Sequence, residues 1–131
     1  MATVNVTKEN FQTIIEQNGI VLLDFWASWC GPCRAFGPTF EKSSEKHPDI
    51  VFGKVDTEAQ QELAGAFGIR SIPTLMLFRD KILLFQQAGA LPESALEQVI
   101  EKAKTLDMTE VRAEIEKAQR TEATEKVAAE G

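Results

Sequence analysis

Cys30 and Cys33 are the only thiols in the chain, and Gly31 and Pro32 separate them. Two thiols at this spacing support either dithiol–disulfide exchange or half of a tetrahedral zinc site. Zinc would need two more soft ligands, and the chain offers a single histidine, His47, so such a site would have to be shared between subunits. The redox reading needs no such addition and is the stronger one. The run Trp29-Cys30-Gly31-Pro32-Cys33 lies where a strongly apolar stretch gives way to a helical pattern, which puts Cys30 at or near a helix N-cap and Cys33 one turn inside. Unpaired N–H groups and the helix dipole favour a thiolate there. An acidified, exposed Cys30 would attack, and Cys33 would lie close enough to resolve a mixed disulfide. Pro32 suits a first helical turn, where its missing N–H is not needed, and it stiffens the loop between the sulfurs.

Asp24 is the second anomaly, because it shares a strand face with Leu22 and Trp26 between apolar neighbours. A buried carboxylate without a partner is costly to ionise, so its pKa should rise toward the range of a general acid or base. The plainer alternative is an aspartate near a strand end with a solvent or backbone partner. Lys54, on the neighbouring candidate strand, could partner Asp24; by spacing alone it reads more readily as an ordinary surface lysine. Ile72-Pro73 precedes a solid apolar strand, and a proline that cannot donate to a ladder should mark the strand's entry. The isomer of that bond is not fixed by the sequence.

The elements that must position these residues follow from periodicity. Residues 3–6 read as a short strand, and Thr7 as the N-cap of a helix bearing Phe11, Ile14 and Ile15. Residues 20–27 are apolar on both alternating faces, as in a central strand covered on both sides. Residues 33–47 form a helix with Phe36 and Phe40 one turn apart, kinked at Pro38. Residues 50–55 give a third strand and 58–67 a helix stopped by Gly68. Residues 74–78 and 82–87 form an antiparallel hairpin, and Pro92 opens a helix with Leu96, Val99, Ile100 and Ala103 inward. The order βαβαβα then ββα predicts an α/β sandwich, a mixed central sheet of about five strands with helices on both faces. Residues 105–131 differ. Asp107 with Glu110 three residues on forms a capping box, Met108, Val111, Ile115 and Ala118 follow at helical spacing, and the stripe then fails. A short helix with a frayed end is expected.

The chain has 131 residues, 44% hydrophobic and 26% charged, with a formal charge of −6. That composition fits one globular domain and argues against nucleic acid or anionic lipid as the main ligand, since both demand a basic face. The N-terminus lacks the basic and apolar stretches of a signal peptide, and no apolar run approaches the roughly 20 residues needed to span a bilayer. A soluble cytoplasmic protein is expected, and in that compartment a lone close cysteine pair is more often catalytic or metal-binding than structural.

The run from Asp24 through Cys33, with Pro38, Lys54-Val55-Asp56, Phe67-Gly-Ile-Arg-Ser-Ile-Pro-Thr74 and Gly89, resembles the bacterial thioredoxins in register from about residue 3 to residue 104. Residues 54–59 and 67–74 look most like the second bacterial type, although the N-terminal zinc module of that type, with its four extra cysteines, is missing. The resemblance implies a thioredoxin domain over residues 1–104; it says nothing about residues 105–131, which by their own spacing read as a helical extension. It implies a monomeric protein-disulfide reductase serving electron transport and redox homeostasis. Cys30 would be the nucleophile and Cys33 the resolving thiol. Asp24 would assist proton transfer at Cys33, with Lys54 modulating it. Trp29, Gly31, Pro32, Ile72, a cis Pro73 and Gly89 would form the substrate-docking surface. No cofactor would be bound beyond the redox-active disulfide; electrons would come from NADPH through thioredoxin reductase, and the other partners would be disulfide-containing proteins. Two departures stand out: Asp80-Lys81 replaces the usual Asn-Gly of the hairpin turn, and Gly37 replaces a larger helix former before Pro38. An alternative function is an interaction module whose tail recruits a partner, although an amphipathic helix more often packs back on its own domain.

Overall fold

A computed structural model describes residues 2–130, with side chains through residue 124. Five strands form one sheet in the order β1-β3-β2-β4-β5. β1 (Thr3–Asn5), β3 (Val51–Asp56) and β2 (Ile20–Trp26) run parallel, and β4 (Thr74–Arg79) and β5 (Ile82–Ala88) complete the sheet as antiparallel neighbours. The expected mixed sheet is therefore present. The parallel pairs need crossovers, supplied by α1 (Phe11–Gln17) and α2 (Gly31–Lys46), while α3 (Gln61–Ala66) links β3 to β4. α4 (Glu93–Thr105) and α5 (Met108–Glu130) close the chain.

The alternation of β2 builds two cores. Val21, Leu23 and Phe25 pack with Ile15 of α1 and Leu63 and Ala64 of α3. Leu22 points the other way, into a cluster with Phe36 and Phe40 of α2 and Leu96 and Ile100 of α4. Each fully buried side chain of this kind contributes about 1.5–3 kcal/mol. Phe36 and Phe40 lie one turn apart with ring centroids 5.8 Å apart, and Phe40 meets Phe52 of β3 edge-on at 5.2 Å. Those rings clamp α2 onto the sheet and so fix where its N-terminus falls. Pro38 lies inside α2, which leaves the Arg34 carbonyl without its usual intrahelical donor.

Several boundaries differ from the sequence reading. Thr7 does not cap α1: it exchanges hydrogen bonds with Asn10, Thr7 N–H to Asn10 Oδ1 at 2.7 Å and Asn10 N–H to Thr7 Oγ1 at 3.3 Å, and this turn delays the helix to Phe11. α3 begins at Gln61 because Asp56 Oδ1 accepts the amides of Glu58 and Ala59 and holds a turn there. Gly68 stops α3 as expected, with φ +64° and its amide on the Gly65 carbonyl. α5 starts on the expected Asp107 cap, whose Oδ1 accepts from Thr109 and Glu110. It then continues past Ala118 to Glu130 as one helix, although its face turns solvent-exposed from Glu116 through Thr124. Its residues there are mostly good helix formers. The expectation of a short helix that frays beyond Ala118 is therefore not met, since the backbone stays helical through residue 130.

Candidate active site

Cys30 is the N-cap of α2, in extended backbone, and its Sγ accepts the Cys33 N–H at 3.2 Å. The two sulfurs are joined in a disulfide across a Cα separation of 5.2 Å. The capping bond shows how the helix start would treat a thiolate, because an amide already points at the sulfur. Contrary to expectation, Cys30 is not exposed: it retains 5% of its surface and Cys33 4%. Both pack with Ala27, Trp26 and Ile72. Access comes instead from the neighbours, since Gly31 and Pro32 are exposed and Trp29 keeps 67% of its surface.

The second wall of the site is the entry to β4. The Ile72–Pro73 bond is cis, and the Ile72 carbonyl oxygen lies 3.6 Å from Cys30 Sγ. Pro73 is buried and Ile72 half-buried. β4 starts only at Thr74, so the Ile72 backbone lies outside the sheet ladder. Gly89 donates its amide to the Pro73 carbonyl at 2.8 Å, with φ +102°, a conformation that favours glycine. The structure thus brings Trp29, Gly31, Pro32, Ile72, Pro73 and Gly89 to the three segments that meet around the disulfide.

Asp24 lies beneath this surface. It has the parity of Leu22 and so faces the layer occupied by α2, the helix that carries Cys33. It is fully buried, and neither carboxylate oxygen has a hydrogen-bond partner among the described residues. Burial pushes its pKa up to about 7, and the charge of Lys54 pulls it partly back. Lys54 pairs in register with Asp24 on β3 and is half-buried, with its ammonium 4.8 Å from the centroid of the Trp26 ring. The surface-lysine alternative therefore does not describe it.

A cleft of about 630 Å³ opens behind Cys33, lined among others by Trp26, Gly37, Glu41 and Lys54. The sequence reading did not anticipate it, nor the part Trp26 and Glu41 take in it. Trp26 Nε1 and Glu41 Oε2 are buried without partners among the described residues, while Glu41 Oε1 accepts from Thr3 Oγ1 at 2.6 Å. The available signal was Gly37, whose missing side chain leaves open space. A second groove, about 520 Å³ between β5 and α4, is lined by such residues as Leu84, Leu91 and Val99 and lies apart from the sulfurs. Among the described residues no group of three or more His, Cys, Asp or Glu could hold a metal ion, and no helix is long and apolar enough to cross a membrane.

A disulfide at a helix N-terminus, an exposed apolar rim and a buried carboxyl titrating near neutrality together equip the site to exchange disulfides and to move the accompanying proton. Comparison with known proteins agrees. The family model described as Thioredoxin matches residues 2–102. A putative thioredoxin 2 of Streptomyces coelicolor is 62% identical over 111 residues, covering 85% of this chain and 83% of that protein. Thioredoxin of Bacillus subtilis is 37% identical over 103 residues, covering 78% and 98%. Among solved structures, a mutant thioredoxin from Halobacterium salinarum superposes with a TM-score of 0.75 at 35% identity, covering 80% of this chain and 93% of that one. The short form of spinach chloroplast thioredoxin f gives a TM-score of 0.73 at 31% identity, covering 79% and 95%.

Proposed function

Because this chain belongs to the thioredoxin family and is a thiol–disulfide oxidoreductase of the protein-disulfide-reducing kind, we propose that Cys30 is its attacking thiol and Cys33 its resolving thiol. The observation that carries the assignment is the Cys33 amide aimed at Cys30 Sγ from the first turn of α2. With both cysteines reduced, the Cys30 thiolate attacks one sulfur of a substrate disulfide, and the other substrate sulfur leaves and takes a proton. The Cys33 thiolate then attacks Cys30 Sγ. The Cys30–Cys33 disulfide forms, the second substrate thiol is released, and two electrons and two protons have passed to the substrate.

Cys33 must lose its proton inside the protein, because it is as buried as Cys30. Asp24 is the carboxyl on the sheet face beneath α2, and with a pKa of about 7 it can accept that proton near neutral pH. Lys54 tunes Asp24 through its charge. An extended substrate segment docks across Trp29, Gly31, Pro32, Ile72, Pro73 and Gly89, pairing with backbone outside the ladder. Electrons return from NADPH through a thioredoxin reductase, and the protein works in the cytoplasm as a monomer; family membership supports these points. Residues 1–104 form the redox domain. Of the extension over 105–131, the first turns of α5 are read as packed on it, because Met108 retains only 6% of its surface and Arg112 reaches Asp80 at 3.6 Å.

Reduction of insulin disulfides, driven by NADPH and a thioredoxin reductase, tests the reading. Turnover is expected from the unaltered protein and none from Cys30→Ser. Absence of turnover by folded, reduced protein would overturn it.

A further inference from the structure

The net charge of −6 conceals an opposite local charge around the disulfide. Three segments meet there: residues 27–34, carrying both cysteines; residues 68–74, carrying Ile72 and Pro73; and residues 88–92, carrying Gly89. Together they hold two charged side chains, Arg34 and Arg70, and no carboxylate. Both arginines are exposed, and neither forms an ion pair or side-chain hydrogen bond among the described residues. Arg34 is tied to the site by its amide, which donates to the Cys30 carbonyl at 3.2 Å. Arg70 stands two residues before Ile72, whose carbonyl lies 3.6 Å from Cys30 Sγ.

The carboxylates nearby are placed or engaged differently. Glu41 and Glu45 line the far part of the cleft that begins at Cys33 and Arg34, two and three turns further along α2, and Glu41 accepts from Thr3. Asp56 ends β3 and Glu58 follows it, on the side of β2 away from β4, and Asp56 accepts the amides of Glu58 and Ala59. The surface lysines Lys42 and Lys46 are paired with Glu93. The rim of the disulfide therefore presents two guanidinium groups without ion pairs among the described residues, the side chain best suited to bind carboxylates.

From this charge pattern, and resting on the docking surface proposed above, we infer that the site prefers disulfides flanked by acidic residues, with Arg34 and Arg70 as the specificity-determining pair. At about 0.1 M ionic strength the Debye length is roughly 10 Å, so the two rim charges act on a docked segment while the distributed negative charge is largely screened. Two exposed charge contacts of ordinary strength amount to about a three- to tenfold preference.

The test uses three disulfide-linked peptides of one core sequence, flanked by Asp and Glu, by Ser and Gly, or by Lys. Second-order rates of their reduction by the full-length reduced protein are compared at about 0.1 M ionic strength. The acidic peptide should be reduced about three- to tenfold faster than the basic one. The order should invert in the Arg34→Glu/Arg70→Glu variant, and the preference should fade in the unaltered protein at about 1 M salt, where the Debye length is about 3 Å. Equal rates for all three peptides, or faster reduction of the basic peptide as the net charge alone would dictate, would overturn the inference and leave the redox reading intact. Failure to reduce even the uncharged peptide would overturn both.

Discussion

Asp24 and Lys54 lie in register on neighbouring parallel strands, yet the Lys54 ammonium rests over the Trp26 ring and both Asp24 oxygens are without hydrogen-bond partners among the described residues. A carboxyl held this way is stabilised as the neutral acid by burial and only partly offset by a nearby cation. Its cost to the fold and its use in proton transfer have the same cause.

The first prediction concerns stability. The folded pKa of Asp24, about 7, lies above its ordinary value of 3.8. Its contribution to stability is therefore complete below about pH 4 and is lost as pH rises through about 7, because in that window the folded state binds the extra proton. The loss is on the order of 4 kcal/mol. Asp24→Asn should remove most of this slope and stabilise the oxidised protein by about 2–3 kcal/mol at pH 8, a buried amide retaining some cost of its own. Urea unfolding at pH 5 and pH 8 measures it; an unchanged slope would contradict the assignment.

The same substitution should slow closure of the Cys30–Cys33 disulfide from a mixed disulfide by about tenfold or more near pH 7. Stopped-flow tryptophan fluorescence can follow that step. A variant that closes as fast as the unaltered protein would remove Asp24 from the mechanism.

Lys54→Gln should move the Asp24 pKa upward, since the Lys54 charge is what lowers it. Carboxyl-selective NMR titration reads the shift. No movement would mean that the register pairing carries no electrostatic coupling.

The hairpin turn provides a test unrelated to chemistry. Asp80 and Lys81 both have positive φ, +52° and +72°, the pattern of a type I′ turn made without its favoured glycine. Aspartate adopts this backbone at lower cost than lysine. Lys81→Gly should stabilise the protein by about 1 kcal/mol and raise Tm by about 3–5 °C, without change in insulin reduction. A lowered Tm would show that the Lys81 side chain matters more than its backbone strain.

Much of this site was legible beforehand because local rules carried it. The Cys30 cap follows from a thiol pair placed at a strand-to-helix switch, and the raised pKa of Asp24 follows from a lone acid in an apolar strand. Other features depend on neighbours distant in sequence. The joining of Pro73 to Gly89, whose amide donates to the Pro73 carbonyl, is a contact that no local pattern encodes. The place of Lys54 depends on β3 lying between β1 and β2, an order several topologies could satisfy. Cap position alone predicts an exposed Cys30, whereas Ile72, 42 residues away in sequence, covers the sulfur. Periodicity starts α3 at residue 58, whereas the Asp56 side chain competes with the helix for the next amides and the helix begins at Gln61.

Deleting residues 107–131 should lower Tm. The loss includes Met108, a buried side chain of the class contributing about 1.5–3 kcal/mol, and the contact of Arg112 with Asp80. An unchanged Tm, together with loss of a binding partner, would favour the recruiting role for the extension.

The central claim is the division of labour between the two cysteines, and trapping a disulfide substrate on single-cysteine variants tests it most directly. With Cys33→Ser, mass spectrometry should find a stable mixed disulfide at Cys30. With Cys30→Ser, the buried Cys33 should form none on the same timescale. Equal trapping by both variants, or trapping only at Cys33, would contradict the account.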